Sequence, residues 1–238
     1  MPKATKRVED ARQKVDKFHE YTTSEALNLV KETATAKFNE TVEVHLRTGL
    51  DGRHADQQIR GSVVMPHGLG RSMRVAVFAE GEAASVATAA GADVVGGDDL
   101  IARVEAGETN FDVMLAQREL MGKVGRLGRI LGPRGLMPNP RTGTVVEANQ
   151  VERAVREAKA GRVEFRLDRT NLVHCPIGKV SFSEDQLREN LGALIDEIVK
   201  AKPTGAKGQY IRGASLASTM GPGVRIEVND LLALAAKS

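Results

Sequence analysis

Tryptophan is absent from this 238-residue chain, tyrosine occurs twice, and aromatic residues make up only 3% of it. The core must therefore be packed with Val, Leu, Ile and Ala, and little material is left for extended aromatic platforms that stack bases. A single cysteine, Cys175, excludes an intrachain disulfide and any four-cysteine zinc site, and fits a reducing compartment. No apolar run approaches the roughly 20 residues of a membrane helix. The N-terminal MPKATKRVEDARQK is charged and holds no apolar signal core. These absences point to a cytoplasmic protein with no membrane partner.

Acidic residues are missing from one stretch in particular. Residues 121–141 hold one Lys and four Arg, five Gly and three Pro, and no Asp or Glu. The preceding stretch from Glu80 to Glu119 is its opposite, with nine acids and two bases. A net charge of +3 says little by itself. A block of cations without neutralising neighbours says more, because it makes a local positive field of the kind polyanions seek. A solvated, arginine-rich loop is the blander alternative, and charge alone leaves the two about level.

Hydrophobic patterning divides the chain. VEDARQKVDKF (8–18) reads as a polar helix. TTSEALNLVKETATAKF (22–38) reads as a second, with Thr22 and Glu25 spaced as a capping box. TVEVHLRTG alternates like a half-buried strand, and RGSVVMP (60–66) follows as another. After HGLG (67–70) the pattern changes. MRVAVFA (73–79), ADVVG (92–96) and FDVMLA (111–116) are apolar runs separated by helical segments, as in a parallel sheet covered on both faces. Gly and Pro then interrupt 121–141 too often for a long helix or strand. Beyond it come a helix closed by Gly161, the alternating RVEFRLD (162–168), and LVHCPIGKVSF, read as two short strands broken at Pro176–Gly178. An amphipathic helix follows with Leu187, Leu191, Leu194, Ile195 and Val199 on its apolar face, ended by Pro203. Two last strands are joined by Met220-Gly-Pro-Gly223. The expectation is a Rossmann-like α/β domain (70–159) inserted into a discontinuous α+β domain (1–69 and 160–238).

Chemistry needed for an enzyme is missing. After Ala79 the chain reads EGEAAS, not Gly-x-Gly-x-x-Gly, so the pyrophosphate cradle of a dinucleotide fold is absent. Gly122-Lys123 copies half a Walker loop, but Val124 stands where Ser or Thr would hold magnesium. Histidines 19, 45, 54, 67 and 174 show no metal-binding spacing. His174 and Cys175 are neighbours on a strand and should point to opposite faces, so packing is the favoured role for Cys175. No catalytic residue, metal site or cofactor is expected.

Binding remains. Arg126, Arg129 and Arg134 stand on a backbone stiffened by Pro133, Pro138 and Pro140, which lowers the entropy lost on meeting a partner. Lys37 beside Phe38, and the hydroxyls and bare backbone of Ser218, Thr219, Met220 and Gly221, suit the shallow minor groove of RNA. Each of these stretches alone is more often a core phenylalanine or an ordinary turn.

GRLGRILGPRGLMPNPRTGTV (125–145) resembles the signature of the large-subunit ribosomal protein L-one family, of bacterial type. TAKFNETVEVHLRTGLD, DQQIRGSVVMPHGLG, AGADVVGG, AGRVEFR, PIGKVSF, KPTGAKGQYI and TMGPGVRI resemble it too, in the same order. The resemblance implies two domains, with hinges at His67, Gly68 and Gly70 and near Gly161. It implies a non-enzymatic protein of the ribosomal stalk that binds large-subunit rRNA, assists release of deacylated tRNA from the exit site, and represses translation of its own mRNA. It also implies a monomer when free of the ribosome. Carried over by position, the RNA surface falls on Lys37, Phe38, Thr41 and Lys179 and on Thr219-Met220-Gly221, with Ser218 beside them. The resemblance assigns no definite role to the basic loop of the inserted domain, and Arg126, Arg129 and Arg134 are read from their charge as candidate contacts to RNA or tRNA. The alternative is a free-standing RNA-binding regulator that is not on the ribosome. RGASLAST departs from the family pattern at Gly213, which puts a contact or the strand edge there in doubt.

Overall fold

The computed structural model describes residues 6–206 and 208–235. The elements run, in order, α1 (Lys6–Gln13), α2 (Thr23–Thr33), β1 (Thr41–Thr48) and β2 (Arg60–Val64). Next come β3 (Val75–Phe78), α3 (Glu82–Ala89), β4 (Val94–Gly96), α4 (Asp98–Glu105) and β5 (Val113–Gln117). Two short helical turns, α5 (Met121–Val124) and α6 (Gly128–Leu131), precede β6 (Val145–Val146) and α7 (Val151–Gly161). The chain closes with β7 (Arg162–Arg166), β8 (Leu172–Lys179), α8 (Glu184–Lys200), β9 (Ile211–Ser218), β10 (Val224–Ile226) and α9 (Val228–Ala235). Two compact units result: residues 1–70 with 163–238, and residues 71–162.

The first unit is α+β. Its main sheet has the order β10-β9-β1-β8, with every neighbour antiparallel. Alternation puts Val42, Val44 and Leu46 of β1 on the inner face with Val173, Cys175, Ile177 and Leu216. Helices α2 and α8 cover that face with Leu27, Val30, Leu187, Leu191, Leu194 and Ile195. Each such side chain contributes roughly 1.5–3 kcal/mol by leaving water. Both helices begin in a capping box, Thr22 with Glu25 and Ser183 with Gln186, so two otherwise orphaned amides are satisfied at each start. Strands β2 and β7 form a separate pair.

The second unit is α/β. Its parallel sheet has the order β4-β3-β5-β6. Odd and even residues of β3 enter different clusters. Ala76 and Phe78 pack with Leu100, Val104, Val124, Leu127 and Leu131. Val75 and Val77 pack with Ala83, Ala87, Val151, Val155 and Ala158. Helices therefore cover both faces, which is why β3 is apolar throughout.

Four local expectations fail, each for a physical reason. The first helix stops at Gln13, because the Asp16 carboxylate accepts the Phe18 amide proton at 2.9 Å in a local turn. The second stops at Thr33, whose hydroxyl donates back to the Leu29 carbonyl at 2.7 Å, and residues 34–40 are not helical. LVHCPIGK is one strand rather than two. Pro176 is tolerated because β8 lies at the edge of the sheet, and a bulge opposite Val42 and Glu43 absorbs the irregularity. In α8 Ile198 faces the core, while Val199 is one position out of phase and exposed. The Gly-rich stretch from Arg118 to Leu131 is a succession of single helical turns, with Val124, Leu127 and Leu131 buried at helical spacing.

Candidate nucleic-acid interface

Strand β1 begins where β8 and β9 end, so three chain segments meet at one edge of the first unit: Thr41 pairs with Lys179, and Val42 with Ser218. The strand ends leave backbone groups that side chains complete. The Thr41 amide donates to the Thr219 hydroxyl at 2.9 Å, and the Thr219 amide donates to the Thr41 carbonyl at 3.0 Å. Lys179 Nζ donates to the Thr41 hydroxyl at 2.8 Å.

Beneath this edge lies Glu40, 2% exposed. Its carboxylate accepts the Ala36 amide at 2.9 Å, the Ser218 hydroxyl at 2.8 Å and the Met220 amide at 2.8 Å. Burial alone would push its pKa up. The amides of Ala36 and Met220, the Ser218 hydroxyl and the charge of Arg7 outweigh that and hold it below the ordinary carboxylate value. The carboxylate thereby ties the 36–40 segment, which carries Lys37 and Phe38, to the turn that carries Thr219 and Met220. Phe38 is 55% exposed and Met220 49% exposed. Two large apolar side chains in water, beside a lysine and a threonine, form a surface suited to bases and sugars. Ala34, Ala36, Phe38, Asn39, Val180 and Ser181 line a shallow depression next to it.

Gly221 is needed for close approach rather than for backbone freedom. A Cβ there would lie 2.5 Å from the Ser218 Oγ. Ser218 is 4% exposed and its hydroxyl is given to Glu40, so in this structure it supports the surface from beneath.

The second unit carries the arginines. Arg126, Arg129 and Arg134 are exposed, and none has an ion-pair partner among the described residues. Lys123, by contrast, is held by Asp98 at 2.7 Å. Leucines point inward and cations outward in this segment, which accounts for its mixed composition.

The residues at the first crossing between units are tied into the first unit. The buried Asn190 accepts the His67 amide at 3.0 Å and donates to the Gly68 carbonyl at 3.0 Å, and the His67 ring meets Glu189. Gly70 has φ +69°, and a Cβ there would lie 2.8 Å from Lys179 and Phe182 carbons. At the second crossing Gly161 is buried at the end of α7, with φ +104°.

Two features escaped the sequence reading. Glu40 shares the phase of Val42, Val44 and Leu46, so an acid in register with a buried face was the available signal. His45 and His174 are not scattered after all. They are cross-strand partners with their Nδ1 atoms 2.8 Å apart, and burial, then the neighbouring imidazole, holds the His45 pKa down. No signal short of the strand register could have shown this. His174 and Cys175 do face opposite sides, and burial pushes the Cys175 thiol up to about 12. No group of three or more His, Cys, Asp or Glu side chains able to hold a metal is present among the described residues. No described helix is long and apolar enough to cross a membrane.

A family model described as "Ribosomal protein L1p/L10e family" matches residues 30–222, which takes in both the Glu40 edge and the arginine segment. The chain belongs to the ribosomal protein L1p/L10e family. Among its relatives is the large ribosomal subunit protein uL1 of Chloroflexus aggregans, 56% identical over 229 residues, which span 96% of this chain and 97% of the relative. That of Dehalococcoides mccartyi is 52% identical over the same shares. The L1p/L10e match and these relatives extend across both structural units, so the similarity is not confined to one fold element.

Proposed function

We propose that this chain is a non-enzymatic protein of the large ribosomal subunit that binds large-subunit rRNA directly, in the cytoplasm, through the edge of the first unit. Lys37, Phe38, Thr41, Lys179, Thr219, Met220 and Gly221 form that surface. The observation that carries this reading is the pair of exposed apolar side chains, Phe38 and Met220, fixed to one buried carboxylate from distant parts of the chain. Small hydroxyls and close backbone can read 2′-hydroxyls and the shallow minor groove, as a chain poor in aromatics must. Family membership and relatives named as large-subunit proteins support the assignment.

The finer reading adds exit-site tRNA and the protein's own mRNA leader as RNA partners. A similar RNA fold in the leader would use the same edge, and the unpaired Arg126, Arg129 and Arg134 would meet phosphates. The protein acts as a monomer when free. It is built of two domains joined at the proposed hinge residues His67, Gly68 and Gly70 and near Gly161, of which His67 and Gly68 are hydrogen-bonded to Asn190.

Filter binding of the full chain to a folded large-subunit rRNA fragment, across a salt series and against an unrelated RNA, tests the reading. Thr219→Ala and Met220→Ala should each cost on the order of 1–3 kcal/mol of specific affinity, and Arg134→Ala less. Equal small losses at all three sites would refute the assignment of the surface. Sedimentation with large subunits separates a ribosomal protein from a free regulator.

A further inference from the structure

The surface residues just named account for contact, but not for why an acid lies beneath them. An anion near bound RNA is unfavourable, and a buried carboxylate is costly unless several donors meet it. An apolar side chain would fill the same space at lower cost. What it could not do is fix directions. An ionised carboxylate only accepts, so each donor must point at it, and charge-assisted bonds of this kind are about twice as strong as neutral ones.

The three donors at Glu40 are distributed informatively. Ala36 lies four residues before it, upstream of Phe38, while Ser218 and Met220 lie 178 and 180 residues away in the other patch. Two of the three are backbone amides, so the carboxylate sets main-chain positions, not only side-chain rotamers. Met220 donates the amide of the very residue whose side chain is exposed.

We infer that Glu40 is the positioning residue of the RNA-binding surface: by gripping the Ala36 amide, the Ser218 hydroxyl and the Met220 amide, it holds Phe38 and Met220 in their binding arrangement before RNA arrives. Resting on the rRNA-binding reading above, this assigns to Glu40 the preorganisation of the site and no contact with RNA. Loops ordered in advance lose less entropy on binding.

Glu40→Gln in the full chain tests it, because the amide nearly preserves shape but removes the charge and turns one acceptor into a donor. Two measurements are made. Hydrogen exchange of the free protein should show faster exchange at the Ala36 and Met220 amides, with the core amides of Val44 and Leu216 unchanged. Affinity for a folded large-subunit rRNA fragment should fall about tenfold, the scale of one lost bond to a charged group. Wild-type affinity despite faster exchange at Ala36 and Met220 overturns the inference, and so does unchanged exchange at both. Should Glu40→Gln also loosen the core, Ser218→Ala decides. It keeps the carboxylate and both amide bonds, and should weaken binding about threefold with the fold intact. Wild-type affinity for Ser218→Ala would then overturn the inference. If the wild-type protein does not prefer the rRNA fragment over unrelated RNA, the rRNA-binding reading itself fails, a result distinguishable from all of these.

Discussion

Gly221→Ala puts the geometry beneath the surface to a quantitative test. The backbone of Gly221 lies outside the left-handed region, so alanine is sterically excluded rather than conformationally strained. Its Cβ would sit 2.5 Å from the Ser218 Oγ and 3.6 Å from the Ser218 Cβ. The hydroxyl is one bond from its Cβ and can escape only by turning about χ1, which takes it off the Glu40 carboxylate it reaches at 2.8 Å. A hydrogen bond to a charged group is worth about 1.5–3 kcal/mol. Replacing glycine returns about 0.4–1 kcal/mol through the unfolded state. The net expectation is a loss of roughly 1–2 kcal/mol. Gly213→Ala, on β9 leading into this turn, is the control. A Cβ there meets nothing within 4 Å, so only the unfolded-state gain of about 0.4–1 kcal/mol remains. Urea denaturation followed by tyrosine fluorescence suits the comparison, because the chain has no Trp and its two tyrosines, Tyr21 and Tyr210, both lie in the first unit. A Gly221→Ala protein as stable as Gly213→Ala would refute the argument that this turn is closed by contact with Ser218.

Other expectations follow from separate parts of the molecule. Changing Arg126, Arg129 and Arg134 together to Ala should leave stability within about 0.5 kcal/mol, because no ion pair is lost. If these side chains meet phosphates, the slope of log K against log salt falls by about 0.7–0.9 for each contact, and an unchanged slope means they are only solvated. Cys175, 1% exposed with its thiol pushed up to about 12, should resist maleimide at pH 8 in the folded protein and react at once in denaturant; rapid labelling of the native state would contradict its burial. Asp93 accepts from Lys159 at 2.6 Å and from the Val75 amide at 2.7 Å, and these bonds, that from Lys159 foremost, hold its carboxyl below the ordinary 3.8. A lowered folded-state pKa gives stability that is present above the unfolded value and lost as pH falls through the folded one. Asp93→Asn should therefore speed exchange at the Val77 and Leu115 amides near neutrality, and the difference from wild type should shrink below about pH 4. A difference that persists at pH 2 would point to packing instead.

The sequence alone determined what depends on local period and composition. Alternation identified β1, continuous apolar runs identified the parallel strands, the Thr22–Glu25 spacing identified a helix start, and a long signature identified the family. Its errors were local contests. The Asp16 turn and the Thr33 hydroxyl ended two helices early, and an edge position let β8 run through Pro176. Tertiary structure decided everything that requires two distant segments to meet. The Glu40 carboxylate and the Met220 amide are 180 residues apart, and His45 and His174 are 129 apart. Whether Ser218 is a contact or a support depends on which oxygen lies 2.8 Å from its hydroxyl. Backbone propensity acts over a few residues, so it can place strands and turns; only the register of packed strands brings a buried acid and its donors to one point.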